Sequence, residues 1–412
     1  MTLDTTLLLG STAAALVWAA LSTYVLLISR RRGHARAVVS TVLATLRTDD
    51  LRGAGIEARV TQVKPLLDRL SRDMVLHTAA DAGTPPDAFH VLTAYLLDRW
   101  TADILLEEAS THRRAKDVWR RTAALRIVFR LGHAQAFDLL ERAVNDGDGD
   151  VAGVALTLLG TSLDPRAVDI MMAALHARRH PASRVAVHLE SSPQNPVAKY
   201  RELLGHADPV MRFWGATLLG RHAGVEWVEA ELAVLVDDPD ARVRKAAVES
   251  LGKVGAAVAA DAALRLLQDP APFVRAHAAR ALGDLDRSDR APAVATLLGD
   301  SDWWVRHAAK QSLETMGPEV WPVLVRCLDN SDGFVRNGAA EVFQNIGVLD
   351  SFIVMEAASD SPSPAKVDLL RRIAAAGGTR LTDSLVERAG AITGPRVRRL
   401  LETMGLEHVG AA

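Results

Sequence analysis

One cysteine, Cys327, stands in 412 residues, which excludes an intramolecular disulfide and any cysteine-clustered zinc or iron–sulfur site. Aromatics make up only 5% of the chain, so its 49% hydrophobic content is aliphatic and small, carried by Ala, Leu and Val. Neither sign of charge is in excess: 48 Lys and Arg face 50 Asp and Glu, for a formal charge of -2. A nucleic-acid binder driven by bulk positive charge is therefore excluded, because nothing is available to neutralise a row of phosphates. Low net charge with high apolar content equally excludes a wholly disordered chain. No Gly-x-Ser-x-Gly, no phosphate-cradling glycine-rich loop and no Gly-Lys-Ser/Thr run occurs, so nucleophilic and nucleotide-binding signatures are missing. Cys327 lies in the Leu-rich run Val323–Leu328, where an inert buried thiol is expected.

Charge is also missing locally. From Thr5 to Ser29 there is no charged residue, and a helix of that length spans roughly 37 Å, enough to cross a hydrocarbon core of about 30 Å. Tyr24 falls near one interface. Arg30, Arg31, Arg32, His34 and Arg36 follow the run, and only Asp4 precedes it. That asymmetry predicts a single-pass anchor in the cell (inner) membrane, with the N-terminus outside and the rest cytoplasmic. A cleaved secretory signal would carry its positive charge ahead of the apolar run instead. The four arginines set orientation, and each is also placed to meet an anionic headgroup for about 1 kcal/mol.

Between His34 and about Ser110 the apolar spacing predicts helices over Ala37–Leu46, Ile56–Leu76 and Asp87–Ala109, with no strand. Thr84-Pro85-Pro86-Asp87 is a break, with Thr84 or Asp87 placed to cap the helix that follows. From about His112 the sequence repeats itself. Val243-Arg244, Val274-Arg275, Val305-Arg306 and Val335-Arg336 recur every 30 or 31 residues. Three residues after each Arg comes Ala (Ala247, Ala278, Ala309, Ala339), and seven after it a large apolar residue (Leu251, Leu282, Leu313, Phe343). Eleven after it comes Gly in three cases (Gly255, Gly317, Gly347) and Asp286 in the other. Weaker copies start at Arg121, Ala152, Arg184, Arg212 and Lys366, the last leading to Gly377, and Arg396 opens a truncated final unit.

Each unit has a physical logic. The Val, Ala and large apolar positions share one face of a 3.6-residue helix. The closing Gly suits a left-handed cap, and an opening Asp-Pro such as Asp238-Pro239 or Asp269-Pro270 suits a helix start. The second helix of each pair is the Leu-rich piece between units: Ala262–Leu267, Ala293–Leu298 and Val320–Leu328. One pair cannot bury its apolar faces alone, so the units must stack into an all-α solenoid. The expected organisation is an anchor with basic flank over 1–32, a helical adaptor over 33–111, the solenoid over 112–405 and a tail over 406–412.

The Asp-Pro…Val-Arg…Ala-Ala…Leu-Gly pattern resembles HEAT repeats, in particular the short bacterial type also called phycobilisome-lyase HEAT-like. The resemblance implies a HEAT-like α-solenoid in which an Asp and an Arg, six residues apart, pair along the stack as a ladder. Asp238/Arg244, Asp269/Arg275 and Asp300/Arg306 fit that spacing, whereas Asn330 precedes Arg336 and Asp208 stands only four before Arg212. The recurrent arginines could instead form a track for phosphates or acidic peptides; recurrence in register with the helices favours the ladder. By the same resemblance the alternative function is an enzyme of the bilin-lyase or protein-hydroxylase kind. The hydroxylases carry His-Glu dipeptides that bind iron, and no His here is followed by Glu. His277 and His307 each sit without an i+4 carboxylate or imidazole. The acidic run Asn145–Asp150 lacks the closing Glu of a calcium loop and reads as a turn. No cofactor, metal, nucleic acid or small-molecule substrate is expected.

What remains is surface. Positions one and five after each Arg face away from the packing stripe: Lys245/Glu249, Ala276/Arg280, His307/Gln311 and Asn337/Glu341. Aligned along the stack they form a mixed polar strip, the expected inner wall of a solenoid groove that takes a protein partner. Trp303 stands three before its Arg, where sister units have Ala241, Pro272 and Gly333; it is either a partner hot spot or a filler between units. The expected function is a non-enzymatic, membrane-anchored scaffold.

Overall fold

Helix starts along the repeats share one local chemistry. Asp240, Asp302 and Asp332 each precede a helix and accept a hydrogen bond from a first-turn amide, at 2.8 Å from Arg242 N, Trp304 N and Phe334 N. These caps satisfy donors that the helix itself leaves open. In the computed structural model, which describes residues 35–46, 55–81, 83–110, 118–255, 258–285, 287–358 and 363–391, the caps lie two residues later than the Asp-Pro pairs suggest. Asp238 and Asp300 are not caps: their carboxylates accept from the amides of Asp240 at 2.8 Å and Asp302 at 2.9 Å, closing a side-chain turn ahead of the helix. Asp269 does the same for Ala271, and Pro272 takes the first helical turn without any side-chain cap. At Asp164-Pro165 and Asp208-Pro209 the Asp does cap and the Pro opens the helix.

The chain divides into two compact units, Met1–Asn195 and Pro196–Ala412. The first holds α1 (35–46), α2 (Ile56–Leu67), α3 (Arg72–Ala80), α4 (Pro86–Arg99), α5 (Ala102–Ser110), α6 (Val118–Arg130), α7 (Ala136–Val144), α8 (Gly149–Gly160), α9 (Pro165–Ala177) and α10 (Ala182–Glu190). Two expected helices each prove to be a pair. The run Ile56–Leu76 breaks before Ser71, whose hydroxyl accepts from Met74 N and restarts the chain as α3. Asp87–Ala109 breaks at Trp100, which adopts an extended backbone. Neither Thr84 nor Asp87 caps α4; Pro85 holds the cap position, and the buried Thr84 hydroxyl donates to Thr78 O at 2.5 Å. The helices α6, α8 and α10 pack in succession as one layer, with α7 and α9 in the other; α3 and α5 lie against α6.

The second unit holds α11 (Val197–Leu204), α12 (Pro209–Leu219), α13 (Glu226–Val234), α14 (Ala241–Val254), α15 (Ala259–Leu266), α16 (Pro272–Asp284), α17 (Ala291–Thr296), α18 (Trp303–Thr315), α19 (Trp321–Cys327), α20 (Gly333–Asn345), α21 (Val348–Ala358) and α22 (Pro364–Ala391). The even-numbered helices from α12 to α22 pack one on the next, and each odd-numbered helix from α13 onward packs on the even one that follows it. Val243, Val274 and Val305, the four Ala at the third position after Arg, and Leu251, Leu282, Leu313 and Phe343 are all fully buried between the layers. Each large aliphatic side chain so removed from water contributes about 1.5–3 kcal/mol. Gly255 takes φ +70° as the left-handed cap of α14.

Neighbouring even helices also touch through a glycine–serine contact. Ser250 Oγ donates to Ala216 O at 2.8 Å, and Ser312 Oγ donates to Ala279 O at 2.6 Å. Opposite them sit Gly220 and Gly283, where a Cβ would fall 2.5 and 2.7 Å from the serine oxygens.

One expectation changes at the C-terminal end. Gly377 does not end a helix: α22 runs through it as one 28-residue helix to Ala391, since Ala374–Ala376 favour helix and no proline intervenes before Pro395. The expected anchor, Thr5–Ser29, lies outside the described residues, as do Arg30, Arg31, Arg32 and the unit expected from Arg396. Arg36 is exposed on α1. Among the described residues no helix is long and apolar enough to cross a membrane.

Candidate functional site

The repeated arginine occupies the first turn of α12, α14, α16, α18 and α20, at the edge of the packing face. Each has two working edges. Arg244 Nη1 donates to its own loop carbonyls, Asp238 O at 2.8 Å and Pro239 O at 3.1 Å. Its Nε and Nη2 grip the carboxylate of Asp269, in the following repeat, at 2.7 and 2.9 Å. Arg275 repeats both contacts, with Asp269 O at 2.8 Å and with Asp300 at 2.8 Å on both oxygens. Arg212 holds Asp238 in the same fork at 2.7 and 2.9 Å. The Asp and Arg six residues apart therefore do not pair side chain to side chain. The carboxylate belongs to the arginine one repeat earlier, 25 or 26 residues back.

The same rung appears in the first unit as Arg121–Asp146, both buried. The acidic run Asn145–Asp150 is thereby accounted for: Asp146 closes the rung, and Asp148 caps α8. Sequence reasoning missed Arg121–Asp146 and Arg212–Asp238 because it compared residues within a repeat; an Asp 25 or 26 positions after each Arg is the signal. In the Arg212 repeat the acid's place is taken by His206, whose Nδ1 accepts from Asp208 N at 3.0 Å.

The electrostatics follow from the geometry. Burial pushes the Asp269 carboxyl up, but the Arg244 fork, the Ala271 amide and the nearby Arg275 outweigh it and hold the group below the usual carboxylate range. Asp300 is likewise raised by burial and lowered further by Arg275, the Asp302 amide and Arg306, with a net fall. The hydrogen bond from Arg242 brings the Asp240 cap down to about 2. All three titrate lower folded than unfolded, so the stability they add is complete above an unfolded value of about 3.9 and lost as pH falls through the folded values. Thermal unfolding of the second unit should be flat from neutral pH to roughly pH 5 and then drop steeply between about pH 4 and pH 2. A midpoint that declines already near pH 6 would show that histidines, not these carboxylates, control the acid limb.

Around each even helix, positions −3, −2, +1 and +5 from the Arg fall on one arc, opposite the buried Val and Ala. The expected polar strip lies there except at Ala276, which is buried, and much of it is already paired. Glu249 takes Lys245 at 3.1 Å and His277 Nδ1 at 2.7 Å. His277 therefore has a carboxylate partner after all, on the neighbouring helix. Lys310 on α18 reaches Glu341 on α20 at 2.6 Å. Gln311 and Asn337 are exposed, and Arg280 is half-buried without a carboxylate partner among the described residues.

Trp303 fills no gap. It is 54% exposed, stacked flat on His307 with centroids 5.2 Å apart, and edge-on to Trp304 at 4.7 Å. Trp304 itself is 60% exposed, and it belongs to a column that sequence reasoning passed over. Position −2 reads Arg242, Phe273, Trp304, Phe334, with the three rings 43%, 60% and 59% exposed. Alignment on that position, rather than on −3, would have shown the row. Cys327 is half-buried, and burial raises its thiol pKa. Among the described residues no three His, Cys, Asp or Glu side chains converge to hold a metal ion.

Stacked helical hairpins, joined at one edge by an arginine–aspartate ladder, define an α-solenoid repeat protein. The family model for HEAT repeats matches residues 197–275 and again 260–344, a stretch that runs from α11 to α20. Among solved structures the chain is similar to one in the Kap95:Nup1 complex, with TM-score 0.45, 13% identity, and coverage of 88% of this chain and 52% of that one. It is also similar to Kap121p bound to Ste12p, with TM-score 0.43, 11% identity, and coverage of 90% and 49%. A third similarity is to the complex of CpcE and CpcF of phycocyanin lyase from Nostoc sp. PCC7120, with TM-score 0.27, 20% identity, and coverage of 66% and 94%. The chain spans about half the length of the Kap95:Nup1 and Kap121p chains it matches. No curated protein matches it.

Proposed function

We propose that this chain is a non-catalytic scaffold that holds a protein partner on the solvent-facing arc of α16, α18 and α20. The observation that carries the reading is the row Phe273, Trp304 and Phe334, with Trp303 beside it, standing exposed in a chain that is only 5% aromatic. Large rings left in water have a hydrophobic cost, and exposed aromatic clusters are where partner anchors concentrate. The uncharged run Thr5–Ser29 and the arginines after it would tether this surface to the cytoplasmic face of a membrane.

Two measurements test the two halves. Photo-crosslinking from detergent-solubilised membranes should capture a partner with the native chain. Trp303→Ala and Trp304→Ala should each cut capture by about tenfold or more, the loss of an interface hot spot. Both rings are exposed, so each variant should keep its unfolding free energy within about 0.5 kcal/mol of wild type. Equal capture by all three proteins would refute the surface. Fractionation should place the native chain in the membrane pellet and a chain lacking residues 1–32 in the supernatant; native chain in the supernatant would refute the tether.

A further inference from the structure

The arginine ladder stops at a defined place. Arg306 keeps the loop edge of its guanidinium, with Nη1 donating to Asp300 O at 2.8 Å and Ser301 O at 3.0 Å. Its other edge has no carboxylate among the described residues. Asn330 occupies the acid's position and spends its Oδ1 on the amide of Asp332 at 2.8 Å. Asn330 thus keeps the loop-closing half of the Asp role and drops the charge. Among the described residues Arg336 likewise holds only its own loop carbonyls, Asn330 O at 2.7 Å and Ser331 O at 2.8 Å.

The open fork coincides with the exposed rings. The Arg306 guanidinium carbon lies 4.4 Å from the centroid of Phe334, and Trp303 and Trp304 sit three and two residues before it on α18. The acids nearby are engaged: Asp302 and Asp332 cap helices, and Glu341 holds Lys310. Arg280, Arg306 and Arg336 have no ionic partner among the described residues, and the nearest acids, Asp302 and Asp332, accept from helix amides.

We propose that Arg306 receives a carboxylate supplied in trans, the side chain of an Asp or Glu in an extended segment of the partner protein, with an apolar residue beside it against Trp304 and Phe334. The partner's acid would sit where Asp300 sits against Arg275, a fork–fork pair with fixed geometry. A small free anion would satisfy the fork and leave the rings in water, so the observations favour a peptide that carries both features. This inference rests on the protein-binding reading above and specifies its chemistry.

The test pans a random-peptide display library against the full-length chain in detergent. Peptides selected by wild type should be enriched in Asp or Glu next to Leu, Ile or aromatic residues. Asn330→Asp should place an internal carboxylate in the fork, raise the unfolding midpoint and cut capture of those peptides by at least about tenfold, the worth of one charge-assisted pair. Arg306→Gln should cut it similarly. Arg306→Lys, which keeps the charge and loses the fork, should fall in between and serves as the check if either of the others folds poorly. Selection of peptides without acids, or acidic peptides captured undiminished by Asn330→Asp and Arg306→Lys, overturns the inference. The protein-binding reading survives that outcome if Trp304→Ala still abolishes capture. Failure to select any Trp304-dependent peptide overturns both.

Discussion

Arg275→Ala should lower the unfolding free energy of the second unit by about 3 kcal/mol, the cost of breaking a buried ion pair from one side, and Arg306→Ala by no more than about 1 kcal/mol. Both arginines hold two carbonyls of their own loop, and so those contacts cancel in the comparison. Only Arg275 closes a fork. Its removal leaves Asp300, whose side chain is 8% exposed, without its counter-charge and with the Asp302 amide as its remaining close donor. Asp300 would answer by titrating higher, so the gap between the two variants should narrow as pH falls below about 4, where the carboxylate is protonated in the unfolded chain anyway. Chemical denaturation at neutral and acid pH reads the difference directly. Equal losses for the two arginines would mean that loop bracing, not the fork, is what stabilises the stack.

Two glycines at the same repeat position should respond oppositely to alanine. Gly283→Ala should destabilise by about 1–3 kcal/mol as overpacking, despite the gain of up to about 1 kcal/mol in helix propensity. A Cβ there meets Ser312 Oγ at 2.7 Å and Ser312 Cα at 3.0 Å. The first could rotate away at the expense of its bond to Ala279 O, but the second is backbone and moves only if α18 moves. Gly252 has Ala281 Cβ at 3.4 Å as its nearest neighbour, an ordinary van der Waals distance. Gly252→Ala should therefore be neutral or stabilising by up to about 1 kcal/mol. Adding Ser312→Ala to Gly283→Ala should recover little, because the clash with the Ser312 backbone persists. Full rescue by that double change would place the strain in the hydroxyl alone.

The stack was legible in the sequence because its cause is periodic. Val243, Ala247 and Leu251 mark a buried helical face by spacing alone, and the same triplet returns 31 residues later. Direction along the stack was not legible from one repeat. Asp238 and Arg244 share a repeat, yet their side chains serve opposite neighbours, and only the distance between repeats shows it. Helix starts were misplaced for a related reason: Asp238 and Asp240 are chemically alike, and only their hydrogen bonds separate a loop-closing carboxylate from a cap. The breaks at Asp68–Ser71 and Trp100 escaped notice because apolar spacing continues across them. Of the candidate surface, Trp303 stood out by size against its column, whereas Trp304 sat in a column where Phe273 and Phe334 made a large residue look ordinary. Burial alone separates an aromatic column that packs from one that faces water.

The missing acid at Asn330 also has a mechanical side. The joint between α18 and α20 is fastened by Lys310–Glu341 in mid-helix and by Asn345 Nδ2 to Glu314 at 2.7 Å near the far end, but where Trp303 and Phe334 stand it has the Arg306–Phe334 stacking and, among the described residues, no ion pair. A joint latched at one end behaves as a flap. Under tension, or when something wedges between the rings, these two layers should part there before α14 and α16 or α16 and α18, whose forks are closed.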